Sequence, residues 1–158
     1  MPLFRAAEMM DIAVEKEKRR RDFYHVAAGQ FTDQRLKDLF SRLEKWEETH
    51  VGKLQQLREH VEDSSAHESY PGEYRAYVDT LIDQRIYEKT SLEQFQRDIR
   101  TPREAIELAI GFEKDSILFF QELAQFVSSK GEKAVRQLIE EEKHHIVELA
   151  SRRADYEA

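Results

Sequence analysis

The sequence contains no cysteine. Disulfides, zinc ribbons, thiolate iron centres and cysteine nucleophiles are therefore excluded together. Glycine and proline are scarce, at five and three of 158 residues, which favours long helices over strands and turns. No stretch approaches the roughly 20 apolar residues of a membrane span, and no amino-terminal run resembles a signal peptide. Positive charge is in deficit: a net charge of −7 and a pI near 5.5 leave no electrostatic footprint for nucleic acid or an acidic membrane. The expectation is a cytoplasmic protein, and a chain of this length suits one domain, 1–158, with a sizeable core.

Charge itself is abundant, at 36% of residues, and apolar residues recur between the charges at helical spacing. This periodicity predicts helix A over about 3–30, helix B over 33–63, helix C over 102–128 and helix D over 131–155. Gly29 with Thr32 and Asp33 separates A from B, and Gly131 separates C from D. The stretch TPRE, Thr101 to Glu104, combines a capping-box pattern with proline at the first helical position. Between B and C lies a crossover at about 64–101, with an extra helix expected near 71–95 that carries Tyr74, Tyr77, Leu81 and Ile82. Tyr70, Tyr74, Tyr77 and Tyr87 are expected to pack over the bundle or form a subunit contact. Two short hairpins joined by a long crossover describe an all-α four-helix bundle.

The halves resemble each other. EKRRRDFYHVAAGQF from Glu17 parallels EKDSILFFQELAQFV from Glu113, and WEETHVGKL from Trp46 parallels EEKHHIVEL from Glu141. An offset of about 95 residues maps A onto C and B onto D, so the two hairpins are pseudo-symmetric.

Residues on one helix face lie three, four, seven and eleven apart. Around Glu142 such a face carries Val135, Leu138, Ile139, His145, Ile146 and Leu149, whereas the face around Glu141 is mostly polar. Glu142 and His145 therefore point inward, and Glu141 and His144 do not. The same reading places Glu47 and His50 on the apolar stripe of helix B, Glu113 on that of C and Glu17 on that of A. Glu17 and Glu47 lie equally far from the A/B turn, and Glu113 and Glu142 straddle the C/D turn, so all four reach one level. Unpaired buried carboxylates are expensive, and two divalent metals would neutralise four of them while two histidine nitrogens complete the coordination. One Glu from each of two helices plus Glu-x-x-His from each of the others is the dinuclear carboxylate pattern of ferritin-like bundles. Oxygen-rich ligands with imidazole suit two iron ions, with manganese or zinc as alternatives. His25, His60 and His67 read as surface or loop residues, and Trp46 as a packing residue off the metal face.

At these positions the chain resembles the rubrerythrin branch of the ferritin-like superfamily, with EKRRRDFY, EETH, FEKDSILFF and EEKHH in the expected order. The resemblance implies that Glu17 and Glu113 are terminal ligands, Glu47 and Glu142 bridging ligands, and His50 and His145 one imidazole per metal. It also implies that Tyr24 stands beside the site, where it orients a ligand or quenches stray oxidants. Without cysteine there is no rubredoxin-type iron centre, so an external electron donor such as a rubredoxin-like protein is expected. Ser116 stands where several family members carry an additional carboxylate, Phe120 replaces the counterpart of Tyr24, and Arg20 occupies a usually small position three residues from Glu17. The function so implied is reduction of hydrogen peroxide by a di-iron homodimer. A ferroxidase or iron-storage protein acting on oxygen is the alternative. A second alternative is a non-catalytic helical interaction module, in which Glu17 pairs with Arg20 or Arg21 in a charged core.

Overall fold

Amphipathic periodicity becomes four long helices in the computed structural model, which describes residues 6–59, 61, 73–81 and 92–156. Helix α1 spans Ala6–Gln30 and α2 spans Gln34–Glu59. Helices α3 (Glu73–Leu81) and α4 (Leu92–Asp98) lie in the crossover, and α5 (Pro102–Leu123) and α6 (Ser129–Arg153) form the second hairpin. No strand occurs among the described residues. The architecture is the expected bundle of two helical hairpins, α1 against α2 and α5 against α6.

Local chemistry sets the helix edges. Asp33 caps α2 by accepting from the Arg35 N–H at 2.9 Å. Thr101 caps α5, its hydroxyl accepting from the Glu104 N–H at 3.1 Å, with Pro102 in the first turn. Glu104 reaches back one residue further than a standard capping box and accepts from the Arg100 N–H at 3.1 Å. The boundary between the last two helices differs from expectation. Helix α5 ends at Leu123 in a 3-10 turn over Ala124–Phe126, Val127 is extended, and Ser128 caps α6. Gly131 thus lies inside the first turn of α6, where a Cβ would stand 3.0 Å from that of Val127. Its role is close approach rather than helix breaking.

In the crossover, the extra helix expected at 71–95 is described as α3 and α4, with 82–91 outside the described residues. Val78 and Leu81 are buried, while Tyr77 is 42% exposed. Tyr70, Ile82, Tyr87, His60, His67 and the Tyr74 side chain lie outside the described residues. The buried Lys16 ammonium donates to the Leu81 carbonyl at 2.6 Å, tying the end of α3 to α1.

The core is two apolar clusters rather than one. The first gathers Met9, Met10, Leu54, Phe119, Phe126 and Leu138, and the second gathers Phe23, Leu36, Phe40, Ala109 and Leu149. Helices α1 and α6 run from the first cluster toward the second, and α2 and α5 run back. The end of α2 and the start of α5 therefore sit at opposite ends of the bundle, which is why the crossover must be long. Its own residues trace the path: Val78 and Leu81 join the first cluster, Phe95 and Ile99 the second. Between the clusters lie Glu17, Arg20, Glu47, His50, Glu113, Ser116, Glu142 and His145, all buried.

Replacing Thr101 by Ala should lower stability by about 1 kcal/mol, because the Glu104 N–H loses its acceptor. Urea denaturation should show a lower midpoint with an unchanged slope, and Thr101→Ser should restore it.

Candidate metal centre

Every helix of the bundle contributes one glutamate to the polar layer, each at the centre of its apolar stripe. Glu17, Glu47, Glu113 and Glu142 are fully buried, and His50 and His145 join them from one turn further along α2 and α6. All six residues singled out by helical spacing thus converge. They form two overlapping groups, Glu17 with Glu47, His50 and Glu142, and Glu47 with Glu113, Glu142 and His145. Within each group one nitrogen or oxygen per residue lies within 4.8 Å of all the others. Glu47 and Glu142 belong to both.

The shared carboxylates divide their oxygens between the two imidazoles. His50 Nδ1 lies 2.8 Å from Glu142 Oε1 and 3.4 Å from Glu47 Oε2. His145 Nδ1 lies 3.2 Å from Glu142 Oε2 and 3.6 Å from Glu47 Oε1. The carboxylates that belong to only one group each have one oxygen engaged. Glu113 Oε1 accepts from the Tyr24 hydroxyl at 2.5 Å, and Glu17 Oε1 accepts from Arg20 Nη2 and, at 3.1 Å, from the Ser116 hydroxyl.

Buried donors and acceptors are ordinarily satisfied. Here Glu17 Oε2, both Glu47 oxygens, Glu113 Oε2, Glu142 Oε1 and His50 Nδ1 have no hydrogen-bond partner, although several lie close together. The 2.8 Å approach of His50 Nδ1 to Glu142 Oε1 lacks the alignment of a hydrogen bond. Atoms converging on one volume without bonding one another are arranged as ligands of a cation at its centre. The donor set, carboxylate oxygen and imidazole nitrogen, fits a divalent metal.

Two further residues touch this layer from outside. Glu141 Oε2 lies 2.7 Å from His50 Nε2, and its other oxygen accepts from Lys53 Nζ at 3.2 Å. This bond holds the His50 ring so that Nδ1 faces the centre. Trp46, 42% exposed, has its ring centroid 6.4 Å from that of His50 and 6.0 Å from that of His145. The face pattern alone consigned both to the exterior. The internal repeat offered the missing signal, since it aligns Trp46 with Glu141, each immediately before a buried glutamate. His144 is exposed and His25 pairs with Glu44 at 2.9 Å on the surface, as the stripe analysis expects.

Arg20 gives the layer a charge of its own. Burial opposes ionisation of Glu17, but the Arg20 guanidinium overcomes it and holds the carboxyl well below the usual range. Glu47 is pushed up to about 7 by burial and by the charges of Glu142 and Glu17. Burial works against the imidazolium of His145, yet the hydrogen bond to Glu142 and the nearby Glu47 carboxylate raise its pKa to about 9. For His50 burial again opposes the charge, and the carboxylates of Glu142, Glu17 and Glu47 raise its pKa. For Glu142, burial and the charge of Glu17 are outweighed by Arg20 and the two histidines, and its pKa is lowered. Burial, then Glu47, hold the Tyr24 phenol well above its ordinary value. Without metal, the carboxylates are thus balanced by Arg20 and protonated imidazoles. The pairing of Glu17 with Arg20 that the interaction-module alternative carried is present, while Arg21 instead bonds Glu48 at 2.7 Å near the surface.

The chain matches the rubrerythrin family over residues 8–151 and belongs to it. Among solved structures, a protein from Thermotoga maritima described as a ferritin-like diiron-carboxylate protein shares the fold, with a TM-score of 0.74. The two are 22% identical over 98% of this chain and 97% of that one. Among curated proteins, none matches this chain.

These shifts set a pH dependence for the metal-free protein. His145 stabilises the fold fully below its unfolded value of 6.5, and that contribution disappears as pH rises through about 9. Glu47, raised from 4.5 to about 7, acts in the same direction at lower pH. Glu17 and Glu142, both lowered, stabilise above 4.5 and lose that contribution on acidification. Chelator-treated protein should therefore melt at the highest temperature in mildly acidic solution and progressively lower toward pH 9. His145→Gln should flatten the alkaline decline.

Proposed function

We propose that this chain is a di-iron oxidoreductase that reduces hydrogen peroxide with electrons from a separate donor. The observation that carries the reading is the pair of overlapping carboxylate–histidine groups sharing Glu47 and Glu142. Glu17 and His50 would complete one metal position and Glu113 and His145 the other, with manganese or zinc as alternative occupants. When bound, a pair of ferrous ions supplies two electrons, which with two protons convert one hydrogen peroxide to two water molecules.

The residues around the centre have definable tasks. The Tyr24 hydroxyl holds Glu113 Oε1, leaving Oε2 free to bind. Glu141 fixes the His50 ring, and Ser116 and Arg20 fix Glu17. The apolar clusters above and below exclude bulk water, which strengthens every electrostatic contact inside. No cysteine is available to build a rubredoxin-type centre, so the electrons come from outside this sequence, for example from a rubredoxin-like protein. We read residues 1–158 as one domain acting in the cytoplasm as a homodimer, and a sizing column separates this from the shell of an iron-storage protein.

Anaerobic iron loading, desalting and mass spectrometry should find about two irons per chain, largely lost in Glu142→Ala. Peroxide should then oxidise the loaded protein faster than oxygen does; the reverse order would point to a ferroxidase. Tyr24→Phe should retain iron and lose about tenfold or more in peroxide turnover, as loss of a ligand-orienting partner does.

A further inference from the structure

The two candidate metal positions are built by a repeat, yet their surroundings differ in charge. Arg20 and Ser116 are repeat counterparts, each three residues beyond a terminal glutamate. Both bond the same carboxylate, that of Glu17. Tyr24 and Phe120 are also counterparts, and only Tyr24 has a hydroxyl, which it gives to Glu113. Glu17 is thus held by a full positive charge and a hydroxyl, Glu113 by a neutral phenol.

We propose that Arg20 is a resident cation of this centre that makes its two metal positions unequal and directs the first divalent ion to the Glu113 and His145 side. The inference rests on the metal-centre reading above and extends it to the order of filling.

Geometry keeps the guanidinium in place. Arg20 is 4% exposed, its Nη2 bonds Glu17, and its Nη1 donates at 2.9 Å to the Phe112 carbonyl. Its Nε lies 3.5 Å from Glu47 Oε2, the Glu47 oxygen that faces His50. The charge therefore sits beside the Glu17, Glu47 and His50 group, and a guanidinium cannot shed its proton to make room. A divalent ion entering that group must share Glu17 and Glu47 with a fixed cation, in an interior that screens repulsion poorly. On the other side it meets Glu113, which accepts from the neutral Tyr24 hydroxyl rather than from a cation, and His145.

Charge balance separates the two steps, whichever side fills first. With both imidazoles neutral, Glu17, Glu47, Glu113 and Glu142 outnumber Arg20 by three negative charges. One divalent ion leaves the layer still negative, and a second makes it positive. The first ion binds tightly and the second weakly.

The test is a calorimetric titration of the metal-free protein with Co(II) under argon, read beside the visible absorption of bound cobalt. Wild type should bind in two steps whose dissociation constants differ by about tenfold or more, equivalent to about 1.4 kcal/mol. Glu113→Gln should remove the tighter step, and Glu17→Gln should spare it. Arg20→Gln should bring the two steps together, while Arg20→Lys should keep them apart. Should Arg20→Gln not fold, the wild type and the two glutamate variants still decide. Two indistinguishable steps in wild type, or a tighter step lost with Glu17→Gln but kept in Glu113→Gln, would overturn the proposal. No cobalt uptake by wild type would instead overturn the metal-centre reading beneath it.

Discussion

Four carboxylates in one buried layer are the constraint to which the rest of this molecule answers. Ionised glutamates lose their hydration there, and in a low-dielectric interior that loss must be offset by cations or protons. Arg20, His50 and His145 do so in the metal-free chain, with Glu47 drawn toward its protonated form. The surrounding hydroxyls follow the same demand. Tyr24 and Ser116 each aim a donor at a terminal glutamate, and Glu141 braces a histidine from outside. Polar atoms without partners remain at the centre of the layer, where a metal would sit.

The chain reconciles a symmetric frame with an asymmetric interior. The repeat sets the backbone: two hairpins, two Glu-x-x-His pairs and two further glutamates at matching heights. Its departures include the positions three and seven residues beyond Glu17 and Glu113, where Arg20 and Ser116 bond Glu17 and Tyr24 bonds Glu113. Arginine against serine and tyrosine against phenylalanine change no helix. They change which charges and hydroxyls meet each side of the centre.

Helix identity and the six convergent side chains were legible because a face with a period of 3.6 residues reports the direction of each Cβ, and equal rise from each turn reports its level. Reach was not legible. Glu141 leaves its helix on a polar stripe, yet its long side chain extends to His50 across the α2/α6 seam. Trp46 likewise starts off the metal face, yet its ring stands tilted beside both imidazoles. Arg20 could be placed near Glu17 by spacing, but its attachment to the Phe112 carbonyl depends on how α1 packs against α5. The misread boundary at Gly131 has a similar origin. Glycine suggested a break by its conformational freedom, whereas tight packing against Val127 explains its presence, and Ser128 does the capping.

The division of the apolar interior has a consequence for how the chain comes apart. Each cluster draws side chains from both hairpins, so neither hairpin contains a complete core of its own. Separating the hairpins exposes both clusters and the glutamate layer in the same event. The crossover strengthens this coupling, since Val78 and Leu81 close one end while Phe95 and Ile99 close the other. Despite its internal duplication, the chain leaves neither hairpin's apolar stripe covered without the other.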